Sequence, residues 1–328
     1  MSAPTRFRDF IGNSGIVGVL ERALARDRLP HALIFAGPPG VGKRTLATLV
    51  ARRLNCLAPQ GTEPCGECRS CRKIAAQAHP DVSVVAPDGA FIKIDQVRDL
   101  TAEVAFEPFE SKYRIAILDP AEAMRNEAAN SLLKTLEEPP SRTFLCLITA
   151  SPYALLPTIQ SRCRTLYFGG IAQEAIERYL TGRAGRDAEE ARLAAASSGG
   201  SLAAALAFDA SRHREARRDA LGFVALLAER GRFREASRLA AAFGKDKEEF
   251  IAWSDAVSAL LQEVYYAQIT PRRLPEGGSE EVRRIAAALP HPRVVSAIEA
   301  MRALRSALEQ NVNRPIALEA LFLKLVAP

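Results

Sequence analysis

HALIFA (His31 to Ala36) runs directly into GPPGVGK (Gly37 to Lys43), and a helical pattern follows from Lys43 to Asn55. An apolar strand, a glycine-rich loop closed by lysine and then a helix is the context that a phosphate-binding loop requires. Gly37, Gly40 and Gly42, with Val41 between them, let successive backbone N–H groups turn inward around phosphate oxygens. The helix adds the positive end of its dipole, and Lys43 carries charge toward the terminal phosphates. The bland alternative is a Gly/Pro turn with a solvated lysine, and the flanking strand and helix count against it.

Outward from this loop, Val82 to Ala86, Arg114 to Leu118 and Phe144 to Thr149 read as further buried strands. Helix patterns lie at Ser14 to Arg28, Ile94 to Glu107 and Asn126 to Leu136, the last stopped by Pro139 and Pro140. Buried strands alternating with helices predict an α/β P-loop domain whose parallel sheet is covered on both faces. After Gly169-Gly170 the strand signals vanish and Ala, Leu, Arg and Glu recur at helical spacing. Breaks at Ser197 to Ser201 and Thr270 to Glu280 divide this remainder. The expected organisation is a P-loop domain over 1–168, a small helical lid over 169–210 and an all-α collar over 211–328.

The 328 residues, 48% hydrophobic and 25% charged, suit a folded protein of two or three domains. A net charge of +6 permits a nucleic-acid or acidic partner without demanding one. No stretch of about 18 uncharged apolar residues occurs, and Arg6, Arg8 and Asp9 fall where a signal peptide needs an apolar run, so a cytoplasmic protein with no membrane partner is expected.

The loop departs from a hydrolytic one immediately after Lys43. The next residue should offer the hydroxyl that ligates Mg²⁺, but it is Arg44, with Thr45 one place later and so rotated by about 100° along the helix. Asp119, at the tip of the strand Arg114 to Leu118, either holds Mg²⁺ through water or caps the turn that follows. The residue after it, where a glutamate would orient the attacking water, is Pro120, which accepts no proton. Phosphate binding survives these changes, and metal-assisted hydrolysis is put in doubt.

Cys56, Cys65, Cys68 and Cys71, spaced C-x8-C-x2-C-x2-C, place four thiols within 16 residues, with Gly66 easing the turn between the second and third. Four thiolates suit a closed tetrahedral Zn²⁺ site, which leaves no position for water and is therefore structural. An iron–sulfur cluster and metal-free reduced thiols fit the same spacing. Cys146 and Cys163 read as core packing, and His31 and His79, near strand starts, as structural.

Three more strings, NSLLKTLEEPP (Asn130 to Pro140), the polar strand end Thr149 and TIQSRC (Thr158 to Cys163), together with LEQNVNRPIALEALFLKL (Leu308 to Leu325), resemble the clamp-loader branch of the AAA+ family, in bacteria the subunits of the DNA polymerase III clamp-loader complex. The resemblance implies that Arg162 is an arginine finger projecting into a neighbouring subunit's ATP site; pairing with a carboxylate of its own subunit is the alternative. It implies a zinc module at the cysteine cluster, and nucleotide contacts at Gly37, Gly40, Val41, Gly42, Lys43, Arg44, Thr45, Asp119 and Thr149. In the ATP-hydrolysing members a sensor arginine follows Gly-Ser-Leu, whereas here Gly200-Ser201-Leu202 is followed by Ala203.

A chain that keeps the finger and loses its own hydrolytic set resembles the stator of such a ring. The implied partners are gamma/tau and delta subunits, the sliding clamp and, through the complex, primer–template DNA. ATP or ADP would be bound without turnover, with Mg²⁺ uncertain, in a non-catalytic subunit of a DNA polymerase holoenzyme. One rival is an ATP-hydrolysing gamma/tau-like subunit, and a more distant one a zinc-dependent nucleic-acid-binding module. The arginines at 212, 214, 217, 218, 230, 232, 234 and 238, offset by interspersed acids, read as a solvated helix surface.

Overall fold

The computed structural model describes residues 4–228, 247–269, 280–309 and 321. They fall into two compact units, with the boundary in the chain between Phe208 and Asp209. In the first unit the strands β1 (Ala32–Ala36), β2 (Val82–Val85), β3 (Arg114–Leu118), β4 (Thr143–Thr149) and β5 (Arg164–Tyr167) pair in parallel in the order β2-β3-β4-β1-β5. The helices between them are α1 (Ser14–Ala25), α2 (Lys43–Leu54), α3 (Arg69–Ala75), α4 (Ile94–Val104), α5 (Asn126–Glu137) and the single turn α6 (Pro157–Gln160).

The period of two in a strand sends alternate side chains to opposite faces. Leu33, Phe35, Ile115, Ile117, Phe144 and Cys146 pack with Leu20 and Leu24 of α1 and Leu46, Leu49 and Val50 of α2. Ile34, Ala36, Ala116, Leu118, Leu145 and Leu147 pack with Val97 and Leu100 of α4 and Leu132 and Leu136 of α5. Both faces being covered, β1 and β4 are buried along their whole length, which is why they read as unbroken apolar runs. Each fully buried large apolar side chain contributes about 1.5–3 kcal/mol of transfer free energy. This is the expected α/β architecture with a parallel sheet, the glycine-rich loop leaving the end of β1.

Four predicted strands and four predicted helices occur, Arg114–Leu118 with the expected ends and the others shifted at one end. The helix at Ser14 stops at Ala25 rather than Arg28, because Asp27 turns left-handed (φ 51°) and the Arg28 N–H closes back on the Ala23 carbonyl at 2.9 Å. The helix at Ile94 stops at Val104 rather than Glu107. Pro108 disfavours helix before it, and the buried Asp81 carboxylate captures the N–H groups of Phe109 (2.6 Å), Glu110 (2.9 Å) and Ser111 (3.0 Å). Strand β5 was not foreseen: it is a four-residue edge strand, RTLY, with both ends exposed.

Beyond β5, α7 (Gln173–Gly182), α8 (Ala188–Ser197) and α9 (Leu202–Ala207) bury Ile171, Ile176, Leu180, Ala191, Ala194 and Ala205 in a core of their own. Asp187 caps α8, accepting from the N–H groups of Glu189 and Glu190 at 3.0 Å. Asn13 clasps Gly169, its Oδ1 accepting from the Gly169 N–H (2.9 Å) and its Nδ2 donating to the Gly169 carbonyl (3.2 Å).

The second unit contains α10 (Ala210–Ala228), α11 (Lys247–Ile269), α12 (Glu280–Ala288) and α13 (His291–Glu309) among its described residues. Trp253, 1% exposed, sits edge-on to Phe223 at 5.3 Å between ring centroids and 6.0 Å from Phe250. Trp253→Ala therefore costs this unit about 3–5 kcal/mol by transfer and cavity terms, measured as a lower denaturant midpoint by far-UV circular dichroism. Arg217 makes a two-pronged pair with Glu263 (2.9 and 2.8 Å), so at least this arginine of the basic stretch is spent on internal packing. Arg230, Arg232, Arg234 and Arg238, most of the break at 270–280 and nearly all of the string from Leu308 to Leu325 lie outside the described residues. Among the described residues no helix is long and apolar enough to cross a membrane.

Candidate functional site

The loop after β1 is held from below by backbone bonds: the Gly37 N–H donates to the Thr149 carbonyl (3.1 Å) and the Phe168 N–H to the Ala36 carbonyl (2.7 Å). At Gly37 (φ 144°) a Cβ would stand 2.3 Å from the Phe168 carbonyl oxygen, so glycine is obligatory there. At Gly40 (φ 75°) it would meet Ser201 Oγ at 2.0 Å, because the start of α9 rests on the loop tip and the Ala203 N–H donates to the Gly40 carbonyl (3.2 Å). Ala203 thus stands over the phosphate loop, at the position where the hydrolysing relatives are expected to carry an arginine.

Between loop and helices lies a cavity of about 440 Å³ lined by Lys43, Arg44, Thr45, Asp119, Glu122 and Thr149, with Leu202, Ala203 and Leu206 of α9 closing one side. That size and mixed lining suit a nucleotide. Of the residues expected here, Gly40, Gly42, Lys43, Arg44, Thr45, Asp119 and Thr149 all border the cavity. Gly37 and Val41 do not: Gly37 packs against the Phe168 carbonyl at the base of the loop, and the Val41 side chain is buried in the core beneath it.

Lys43 is 7% exposed, and its Nζ donates to the carbonyls of Gly37 (2.5 Å) and Pro38 (2.7 Å). Burial lowers its pKa, an effect opposed by Asp119 and Glu122. Asp119 ends β3 with its Oδ2 3.6 Å from Arg44 Nε. Burial raises its pKa, and the positive charges of Arg44 and Lys43 work against that rise. The fully buried Thr149 spends its hydroxyl on its own turn, donating to the Ser151 carbonyl (2.8 Å) and accepting from the Ser151 N–H (3.1 Å).

Glu122 was not among the expected site residues. Its Oε1 accepts from the Ala150 N–H (2.9 Å), tying the turn after β3 to the end of β4, while Oε2 is buried without a hydrogen-bond partner. A buried carboxylate oxygen without a partner is a group that calls for one. The signal was its place two residues past Pro120, off the usual position.

These residues do not fit an octahedral Mg²⁺. The position after the loop lysine offers a guanidinium, which has no lone pair to give, and the one strand-tip carboxylate already faces that guanidinium.

Arg162 follows α6 and is one-third exposed. Its guanidinium donates to Glu137 Oε1 (2.5 Å), the Thr158 carbonyl (2.9 Å) and Ser161 Oγ (3.2 Å). Within the isolated chain the arginine is thus parked on the last residue of α5, as the own-subunit alternative anticipates.

The four cysteines come together. One sulfur from each of Cys56, Cys65, Cys68 and Cys71 lies within 4.8 Å of all the others, and Cys65 and Cys71 are 4.0 Å apart. Tetrahedral ligation at the usual Zn–S length needs sulfurs about 3.8 Å apart, so the set fits a four-thiolate metal ion. Backbone N–H groups point at three of the sulfurs: Cys65 to Cys56 (3.2 Å), Cys68 to Cys65 (3.3 Å) and Cys71 to Cys68 (3.4 Å). Burial works against ionisation of Cys68, but hydrogen bonds from the Cys71 and Leu57 N–H groups and from the neighbouring thiols win and bring its pKa to about 6. Burial pushes Cys56 and Cys71 up. Gly66 takes the left-handed conformation (φ 80°) that its turn requires.

The module is tied down on both sides. Glu63 accepts from the N–H groups of Phe7 (2.7 Å) and Arg8 (3.0 Å). His79 Nδ1 accepts from the Asp81 N–H (3.1 Å), which leaves Nε2 to meet Ser111 Oγ (2.9 Å) and Ser70 Oγ (3.2 Å). His31 Nε2 meets the Leu136 carbonyl (3.2 Å). Both histidines are structural, and Cys146 and Cys163 pack among core residues.

Residues 12–172 match the family model described as "DNA polymerase III, delta subunit". The chain is 43% identical over 162 residues to DNA polymerase III subunit delta' of Bacillus subtilis, covering 49% of each chain. It is 47% identical over 135 residues to the subunit of the same name from Pseudomonas aeruginosa, covering 40% of this chain and 41% of that one. To DNA polymerase III subunit tau of Bacillus subtilis it is 37% identical over 174 residues, covering 53% of this chain and 31% of the relative. The matches span about half the length of the delta-prime relatives or less; the residues matched by the family model contain the phosphate loop, the cysteine cluster, Asp119 and Arg162. Across residues 12–172, just under half of its length, this chain is therefore similar to the family described as "DNA polymerase III, delta subunit", and among curated proteins it is similar to DNA polymerase III delta-prime subunits.

Proposed function

We propose that the chain is the delta-prime stator of a DNA polymerase III clamp loader. It occupies one end of a heteropentameric ring with gamma/tau and delta subunits and helps load the sliding clamp onto primer–template DNA. Arg162 completes the adjoining subunit's ATP site in trans, while the chain's own phosphate loop holds ATP or ADP without turning it over. The observation that carries this reading is the pairing of Arg44 with Asp119 at 3.6 Å, in a chain that resembles delta-prime subunits. The pair fills the two positions from which a catalytic metal would be held, Pro120 supplies no base, and Arg162 is surface-accessible.

Lys43, the loop N–H groups and the start of α2 would bind nucleotide phosphates, and the cavity wall from α9 would cover the rest. A bound nucleotide supplies binding energy that stiffens loop and lid helices together. Arg162 would exchange Glu137 for the phosphate oxygens of the nucleotide across the subunit boundary, where a planar guanidinium stabilises spreading negative charge. Cys56, Cys65, Cys68 and Cys71 would hold a structural Zn²⁺ that braces the segment between α2 and β2. Residues 1–168, 169–210 and 211–328 would serve as nucleotide domain, lid and oligomerisation collar in a cytoplasmic assembly.

Mixing the chain with gamma/tau and delta and weighing the product by native mass spectrometry, then assaying clamp loading with and without it, tests the proposal. A defined complex containing one copy, required for loading, is the expected result. Failure to enter the complex, or loading that proceeds unaltered without it, sinks the reading. The 37% identity to a tau subunit supports a second reading, an ATP-hydrolysing gamma/tau-like subunit. That one requires Mg²⁺-dependent turnover by the purified chain alone, lost in Lys43→Ala.

A further inference from the structure

Arg44 stands at the first turn of α2 and Asp119 at the tip of β3, and β4 lies between β1 and β3 in the sheet. Their side chains close across the end of β4 to 3.6 Å, on the cavity wall beside Lys43 and Glu122. This is the place where a divalent cation would have to sit to bridge the strand-tip carboxylate and the terminal phosphates. The guanidinium is a permanent cation with five N–H donors and no acceptor, so it cannot join a metal's coordination shell and repels any metal brought beside it.

The same group suits phosphate. Its planar fork presents paired N–H donors to phosphoryl oxygens while Nε keeps facing Asp119. Arg44 is 46% exposed at the side chain, and among the described residues Asp119 is its one ion-pair partner, so donors remain to be used. Lys43 beside it has a buried ammonium whose hydrogen bonds are to the loop's own carbonyls, Gly37 and Pro38. Two fixed cations from one helix start, with the loop N–H groups, supply the charge that a loop with a single lysine recruits from a metal.

We propose that this pocket binds nucleoside di- or triphosphates as the metal-free anion, with the Arg44 guanidinium bridging Asp119 and the phosphates where a divalent cation would otherwise stand. The inference rests on the nucleotide-binding reading above and adds to it the ionic form of the ligand. A magnesium-complexed nucleotide would bring its cation against Arg44, so magnesium should bring no gain and should compete by sequestering the free nucleotide.

Isothermal titration of the full chain with ADP and with ATP decides this. One buffer is freed of divalent cations by passage over a chelating resin, the other contains MgCl2, and zinc content is checked to be the same in both. Wild-type chain is expected to bind at least as tightly without magnesium as with it. Arg44→Thr, which restores a hydroxyl and removes the guanidinium, is expected to bind at least tenfold more weakly without magnesium than with it. Circular dichroism melting establishes that this exposed substitution leaves the fold intact. Wild-type binding that weakens tenfold or more when magnesium is withdrawn overturns the inference and leaves nucleotide binding standing. No binding of either nucleotide in either buffer overturns both.

Discussion

Arg162→Ala leaves assembly of the reconstituted loader intact and lowers ATP turnover at the site it borders by about 10³-fold or more, the lower end of what arginine fingers contribute to phosphoryl transfer. The expectation follows from where the side chain lies. Arg162 is 33% exposed and, among the described residues, bonds to Glu137, Thr158 and Ser161 at the surface of its own chain, so its removal opens no core cavity and strands no buried charge. The cost therefore appears in the neighbour's chemistry and not in this chain's stability. Bulk DNA-stimulated ATPase falls by the share of turnover that the bordered site supplies, and single-turnover measurement at that site reads the full effect. Unchanged turnover there, with the complex assembled, would show that the pair with Glu137 is the arginine's whole purpose.

With the proposed Zn²⁺ at the cysteine cluster, chelation or replacement of Cys71 by serine is expected to destabilise the first unit by about 5 kcal/mol or more, since structural zinc sites bind with apparent free energies of about 10–16 kcal/mol that are coupled to folding. Cys56 and Cys71 are buried, and the segment between them, rich in Gly, Pro and polar residues, has little apolar surface of its own to hold it folded. Without the ion, four thiols crowd within 4.8 Å and those at Cys56 and Cys71 cannot ionise easily, so nothing replaces the lost bonds. At roughly 2–4 °C per kcal/mol for a unit of this size, the midpoint should drop by about ten degrees or more. Calorimetry before and after chelation reads the shift, and elemental analysis should find one zinc per chain. A chain that contains no metal, or melts identically after chelation, would assign these cysteines to ordinary packing. DNA affinity of the isolated chain that vanishes on chelation while the melting point holds would favour the nucleic-acid module instead.

Much of this was legible because it is local. HALIFA followed by GPPGVGK carries a strand, a turn and a helix start within 13 residues, and each is dictated by short-range chemistry. The cysteine quartet was legible for the same reason, its ligand spacing closing within 16 residues. Strand β5 escaped because an edge strand buries neither face fully, and RTLY shows neither an apolar run nor clean alternation. The end of α4 was misplaced because the carboxylate that fixes the chain just after it, Asp81, which accepts from the N–H groups of Phe109, Glu110 and Ser111, belongs to a distant stretch of chain.

By itself, then, the amino-acid order determined that a phosphate loop exists, that Arg44 replaces its hydroxyl, and that four thiols are spaced for one ion. Only the tertiary structure decided that Arg44 reaches Asp119, that Glu122 borders the same cavity and ties its turn to Ala150, that Ala203 rests on Gly40, and that Glu137 holds Arg162. Periodicity specifies which face of an element is buried, but the order in which strands sit side by side is settled by packing between segments far apart in the chain. Arg44 and Asp119 are 75 positions apart and share a wall because β4 slots between β1 and β3.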